Sequence, residues 1–332
     1  MNTEQTKLLL QSSPSWRSCR PKFQVKGDRK LDRIAMVLLQ AVCVVLSTMA
    51  QDVPPGAAAL GYTKCVIHES PIASDIAPGN NGNHKWFSGQ WYAPPPSLDH
   101  YRTTNGVLAL SFGGDLVSTS RDFANSKLPL LPGSDGFYVE FDVRLSDNDP
   151  DHFPAVWLMP AEHNGKQEDQ YAGDPAGFQR WMELDADEGG FGPGLTGTVH
   201  NWTGIYPHYQ HVQNPNNISS IAIDRSKKHT FGGSYDPIHQ IVTWWVDGVK
   251  QIGAASPYVP AVAAKQHFYL IISAQSHGKK KPYSMFVSGV RAYVPPISKL
   301  PDVVDPKSAE AGKDDASPWG IASGAEWMGA VP

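Results

Sequence analysis

The stretch Gly136 to Leu145, GFYVEFDVRL, sets the fold class. Successive side chains of an extended chain point to opposite sides, so Phe137, Val139, Phe141 and Val143 share one face. Tyr138, Glu140, Asp142 and Arg144 share the other, and the alternation reads as a half-buried antiparallel strand. Upstream, Val107 to Phe112 is a second strand closed by Gly113-Gly114, and a short one follows at Leu116 to Ser120. Downstream, Phe153 to Met159, FPAVWLM, is a continuous apolar run, as expected of a strand covered on both sides. A polar excursion from Ala161 to Gln179 leads into Trp181 to Gly190, and Thr196 to Trp202 follows as another strand. Tyr206 to Ser220 reads as a polar loop. Ile241 to Val246 meets Asp247-Gly248, a strong hairpin turn, and the chain returns through Val249 to Ile252. His267 to Ala274 and Met285 to Val294 end the series. Closely spaced strands without interleaved helices predict an all-β sandwich or jelly roll, and the 30 Gly and 28 Pro suit many turns.

The 332 residues are enough for a proper core. Residues 1–50 carry Lys7, Arg17, Arg20, Lys22, Lys26, Arg29, Lys30 and Arg33, then the apolar run Ile34 to Met49. This is the layout of a secretory signal peptide with cleavage after Ala50, or of an uncleaved signal anchor. A secreted or periplasmic protein is expected, membrane-bound only if the anchor persists. Removing residues 1–50 takes away eight of 28 Lys/Arg and three of 32 Asp/Glu, leaving 20 basic against 29 acidic residues. That acidic balance speaks against nucleic acid or an anionic membrane surface as partner. Of three cysteines, Cys19 and Cys43 lie in the leader, so Cys65 has no partner for an intramolecular disulfide. No Cys/His cluster has zinc spacing. Residues 51–83 read as a linker or irregular approach, 84–295 as the β domain, and 296–332 as a polar tail. A monomer is expected.

Trp181 to Gly190, WMELDADEGG, packs Glu183, Asp185, Asp187 and Glu188 within six residues. On a regular strand Glu183, Asp185 and Asp187 share a face, and Glu188 joins Glu183 and Asp185 only if a β-bulge takes up one residue. Like charges so close cannot all ionise cheaply, which splits pKa values in the way acid/base chemistry needs. The same residues also suit a solvated acidic loop or a calcium site. Trp157, Trp181, Trp202 and His200 lie near in sequence, and indole faces suit pyranose rings.

Several ordered segments resemble glycoside hydrolase family 16: Phe153-Pro-Ala-Val-Trp157-Leu-Met-Pro160, then Glu183-Leu-Asp185-Ala-Asp-Glu188, then Thr198-Val-His200. His229-Thr-Phe231, Val242 to Val249, Phe268 to Ile271 and Val287 to Tyr293 continue the series, so the similarity spans roughly residues 100–295. The resemblance implies a concanavalin A-like β-jelly roll of two antiparallel sheets that cleaves β-linked polysaccharide with retention. It implies the bulged E-x-D-x-x-E form, with Glu183 as nucleophile, Asp185 between the pair and Glu188 as acid/base. Trp157, Trp181, His200 and Trp202 are the expected substrate-binding residues. No cofactor is expected. Many relatives hold a structural calcium through an Asp in the last strand, where this chain has Ser288-Gly289, so no metal is expected either.

The bulged form occurs in laminarinase-like members, which points to an endo-acting hydrolase of β-1,3- or mixed-linkage β-glucan. It also occurs in agar- and carrageenan-type galactan hydrolases. Transglycosylation on the same site and a non-catalytic carbohydrate-binding jelly roll are the other readings. Met182 stands where many relatives have Gly or Ser, and the long Ala161 to Gln179 excursion predicts an unusual cleft wall. Asn201-Trp-Thr203 and Asn217-Ile-Ser219 match the N-glycosylation pattern.

Overall fold

The computed structural model describes residues 53–78, 83–123, 126–214, 221–276, 278, 281–298 and 300. The signal or anchor expected over 1–50, the motif at Asn217 and the tail beyond 300 lie outside the described residues. Among the described residues no helix is long and apolar enough to cross a membrane.

The chain begins with α1 (Pro55–Ala59), β1 (Lys64–Glu69), β2 (Ile76–Pro78), β3 (Trp86–Ser88), β4 (Tyr101–Thr104), β5 (Val107–Ser111), β6 (Asp115–Val117) and β7 (Leu131–Pro132). It continues with β8 (Phe137–Leu145), β9 (Phe153–Pro160), β10 (Phe178–Glu188), β11 (Thr198–Ile205), β12 (His208–Gln213) and β13 (His229–Asp236). The last four strands are β14 (Ile241–Val246), β15 (Val249–Ala254), β16 (His267–Gln275) and β17 (Ser284–Val294). One sheet runs β15-β14-β13-β8-β17-β5-β4, with β1 also paired to β17. The other runs β12-β11-β10-β9-β16-β6-β3-β2, with β7 paired to β16. Neighbours are antiparallel except β2 and β3, which are parallel. The two stacked sheets make the expected all-β jelly-roll sandwich.

Alternation supplies the core between the sheets. Phe137, Val139, Phe141 and Val143 of β8 meet Met182, Leu184 and Ala186 of β10 there, with Trp244 and Leu270 among them. Burying each such large side chain is worth about 1.5–3 kcal/mol. The Asp247-Gly248 turn has both residues at positive φ, 50° and 77°, the geometry that matches strand twist in a two-residue hairpin.

Three segments differ from the sequence reading. β8 is buried on both faces rather than half-buried. Tyr138 packs with Ala57, Tyr62, Trp245 and Tyr293, while Glu140 and Asp142 are satisfied by Arg291 from β17. Residues 51–83, read as a linker or irregular approach, contain α1, β1 and β2, because short strands can dock where an existing sheet supplies the hydrogen-bonding partner. His208–Gln213, read as loop, is an edge strand paired with β11. Its side chains are alternately exposed and half-buried, which leaves no apolar periodicity to read.

Candidate active site

β10 is the third strand from the β12 edge of its sheet, flanked by β9 and β11. Its pairing with β9 runs Leu184 to Leu158 and Asp185 to Trp157, then shifts, so that Asp187 meets Val156 and Glu188 meets Ala155. The shift is a β-bulge between Asp185 and Asp187, with Ala186 the residue left without a partner. Ala186 joins the core between the sheets. Asp187 also turns inward: beside a small void lined by Val143, Phe231 and Met285, it is gripped by the Arg225 guanidinium. The bulge therefore separates the four acids, with Asp187 behind the sheet and Glu188 returned to the outer side.

On that outer side the Trp202 indole donates to Glu183 Oε2 at 2.9 Å. The Thr198 hydroxyl donates to Glu188 Oε2 at 3.1 Å. His200 Nε2 stands 3.2 Å from Asp185 Oδ2, outside hydrogen-bond geometry. The Asp185 carbonyl accepts from the indole of Trp244, at 2.6 Å, which pins the bulge to the opposite sheet. Burial, and then the Asp185 carboxylate, push Glu183 up to about 7, while His200 and the Trp202 bond act the other way. Burial raises Asp185 as well. Glu188 lies well above the ordinary carboxylate range, first through burial and then through Asp185, with Glu183 adding to it. These mutual effects put Glu183, Asp185 and Glu188 in one electrostatic cluster, in which the protons taken up belong to the group rather than to one residue.

Beside Glu183 lies a groove lined by Trp91, Tyr92, Trp157, Trp181, Trp202 and Tyr209, together with His163 and Gln179. A row of rings crosses the sheet here. His163 stacks on Trp181 with centroids 3.5 Å apart, Trp181 lies parallel to Trp202 at 5.5 Å, and His211 meets Trp202 edge-on at 4.3 Å. The excursion between β9 and β10 supplies His163, whose Nδ1 is 2.7 Å from Asp169 Oδ2. Gln179 Nε2 donates to Asp169 Oδ1 at 2.7 Å, and Tyr209 OH donates to Gln179.

Each residue singled out in the sequence has a definite place. Glu183, Asp185, Glu188, His200 and Trp202 come together as described. Trp181 is buried with one ring face against His163 and the other toward Trp202, so neither face is open to a sugar. Trp157 is buried in the groove floor, its indole bound to Ser273 Oγ at 3.0 Å. Trp91, Tyr92, His163, Tyr206 and Tyr209 also line the groove and were not found from sequence. They come from segments far from the acidic stretch or read as loop, and only the unusual length of the excursion hinted at one of them. The Asn201 side chain donates to the Pro257 carbonyl.

Two groupings of described residues bring three potential metal-ligand atoms within 4.8 Å of one another: Asp147, Asp149 and His152, and Glu183, Asp185 and His200. In the first, Lys281 pairs with Asp149. The second is the acidic cluster itself. At Ser288-Gly289 there is no carboxylate, and Asp142 nearby is already paired with Arg291, so this donor set does not fit the calcium of the relatives.

No family model matches the chain, and no curated protein sequence matches it significantly. Solved structures do match. The chain is similar to a κ-carrageenase from Pseudoalteromonas carrageenovora, at 15% identity over 61% of this chain and 85% of that one, TM-score 0.42. It is similar to an endo-1,3-β-glucanase from Streptomyces sioyaensis, at 15% identity over 69% and 95%, TM-score 0.42. It is also similar to the β-porphyranase BpGH16B from Bacteroides plebeius, at 13% identity over 66% and 84%, TM-score 0.43. The chain thus resembles in fold a set of glycanases, one of which carries the family 16 designation in its name.

Proposed function

We propose that the protein is a retaining, endo-acting glycoside hydrolase of a neutral β-glucan, with β-1,3 linkages the leading choice. The bulge carries this reading: it selects Glu183, Asp185 and Glu188 from four acids, and Glu183 lines an aromatic groove. A retaining glycosidase needs two carboxyl groups about 5–5.5 Å apart. Glu183 attacks the anomeric carbon while Glu188 protonates the leaving glycosidic oxygen, giving a covalent glycosyl-enzyme. Glu188, now a carboxylate, then takes a proton from water, and the resulting attack on the anomeric carbon releases Glu183. Asp185 and His200 tune the pair, and the Trp202 indole holds Glu183 in place and favours its ionised form.

A neutral substrate is favoured because no Lys or Arg is among the described residues lining the groove. A sulfated galactan would require cations there. Export is part of the proposal and rests on the sequence of residues 1–50 alone. The test is incubation of the purified protein with laminarin, mixed-linkage β-glucan, agarose and κ-carrageenan, sizing the products. Internal cleavage of laminarin, abolished in a folded Glu183→Gln variant, is expected. Cleavage of none of the four, or full activity in the variant, overturns the proposal.

A further inference from the structure

Among the polar groups of the groove that the proposed reaction does not use is His163. His163 is nine-tenths buried, its ring plane fixed against Trp181 and its Nδ1 fixed by Asp169. Asp169 is fully buried in turn, and its other oxygen is taken by Gln179. In the neutral imidazole, a buried carboxylate on Nδ1 holds the proton there, which leaves Nε2 as an acceptor. Nε2 has no hydrogen-bond partner among the described residues. Unlike the unpartnered indole nitrogen of Trp181, it is not sealed from the groove that His163 lines. A largely aromatic groove with an oriented polar atom is what recognition of a sugar calls for: apolar contact for the ring and a placed acceptor for a hydroxyl.

From this geometry we infer that His163, oriented by Asp169, is a glycan-binding residue whose Nε2 accepts a hydrogen bond from a hydroxyl of the sugar beside Glu183. Asp169 is its positioning residue. The excursion between β9 and β10 thereby gains a role in substrate recognition rather than in closing the fold alone. This rests on the glycan reading of the groove, and it concerns binding rather than bond cleavage.

The test is calorimetric titration of the full chain, carrying Glu183→Gln to prevent turnover, with a β-1,3-glucan hexasaccharide. His163→Phe keeps a ring on Trp181 and removes both nitrogens. His163→Phe combined with Asp169→Asn also removes the buried charge that would otherwise lose its partner, and carries the test if the single variant does not fold. Each folded variant, checked by cooperative thermal unfolding, is expected to raise Kd about tenfold, as for loss of one hydrogen bond. A Kd within twofold of the parent's in a folded variant overturns the inference while leaving the proposed hydrolase standing. Failure of the parent itself to bind the hexasaccharide contradicts the glucan reading, and this inference falls with it.

Discussion

Arg225 holds Asp187 from behind the acidic row: Nη2 donates to Oδ1 at 2.9 Å, Nη1 donates to Oδ2, and both side chains are buried. The same guanidinium reaches the carbonyls of Glu188 and Gly194, each at 3.3 Å. One ion pair thus occupies the inward-facing acid and braces the backbone at the residue that returns to the outer side of the sheet.

Breaking that pair strands a buried charge. Arg225→Met is expected to cost about 3–5 kcal/mol in urea unfolding, and adding Asp187→Leu should recover most of it. A cost below about 1 kcal/mol would show that the pair is not closed as described.

The two neighbouring acids should separate in activity. Glu188→Gln is expected to lower kcat by about 10²-fold or more, the scale of general acid–base catalysis. Asp187→Asn should lose stability but keep kcat within a few-fold, because its side chain lies on the core side of the bulge. The reverse pattern would place the bulge wrongly.

Gly197 lies against Trp244 so closely that an added Cβ would sit 2.3 Å from the indole Cδ1 and 2.4 Å from Nε1. That indole is the one bound to the Asp185 carbonyl. Gly197→Ala is therefore expected to destabilise by about 1–3 kcal/mol and to lower kcat in the surviving folded protein. Unchanged stability, read by thermal unfolding, would mean that the indole has room to move.

The raised carboxyls fix a sign for stability against pH. Glu183 sits at about 7 in the folded chain against 4.5 ordinarily, so the folded state holds its proton more tightly. Its stabilising contribution is complete below pH 4.5 and is lost as pH rises to about 7. Asp115, raised by burial to about 6 from 3.8, loses its contribution between those values. Thermal midpoints of the parent should accordingly fall relative to those of Glu183→Gln between pH 4.5 and 7. A constant difference, or one that grows in the parent's favour, would contradict the Glu183 environment.

Trp202→Phe keeps a ring in the row and removes the hydrogen bond to Glu183 Oε2. That bond favours the ionised carboxylate, so its loss should move the acid limb of the kcat/KM profile to higher pH. A shift to lower pH would mean that Trp202 does not act on Glu183.

Much of the sandwich was legible in the sequence because period-two patterns such as Phe137, Val139, Phe141 and Val143 face a common core. The opposite face of the same strand was not, since Glu140 and Asp142 read as solvated until Arg291, from a strand about 150 residues later, neutralises them. β12 escaped notice because a polar edge strand needs only β11's backbone to form. The acidic stretch announced itself by composition, yet which acids face out depends on a bulge that residue types alone left open. The groove walls are the least legible part. Trp91 reaches the groove from a distant loop and His163 from the excursion between β9 and β10, and His163 depends on a buried Asp169 that in sequence looks like any loop carboxylate.

Retention at the anomeric carbon tests the central claim most directly. Proton NMR of laminarin freshly mixed with the protein should show the β-anomer of the new reducing ends first, with the α-anomer appearing only as mutarotation proceeds. First appearance of the α-anomer would contradict the assignment of Glu183 as nucleophile and Glu188 as acid/base.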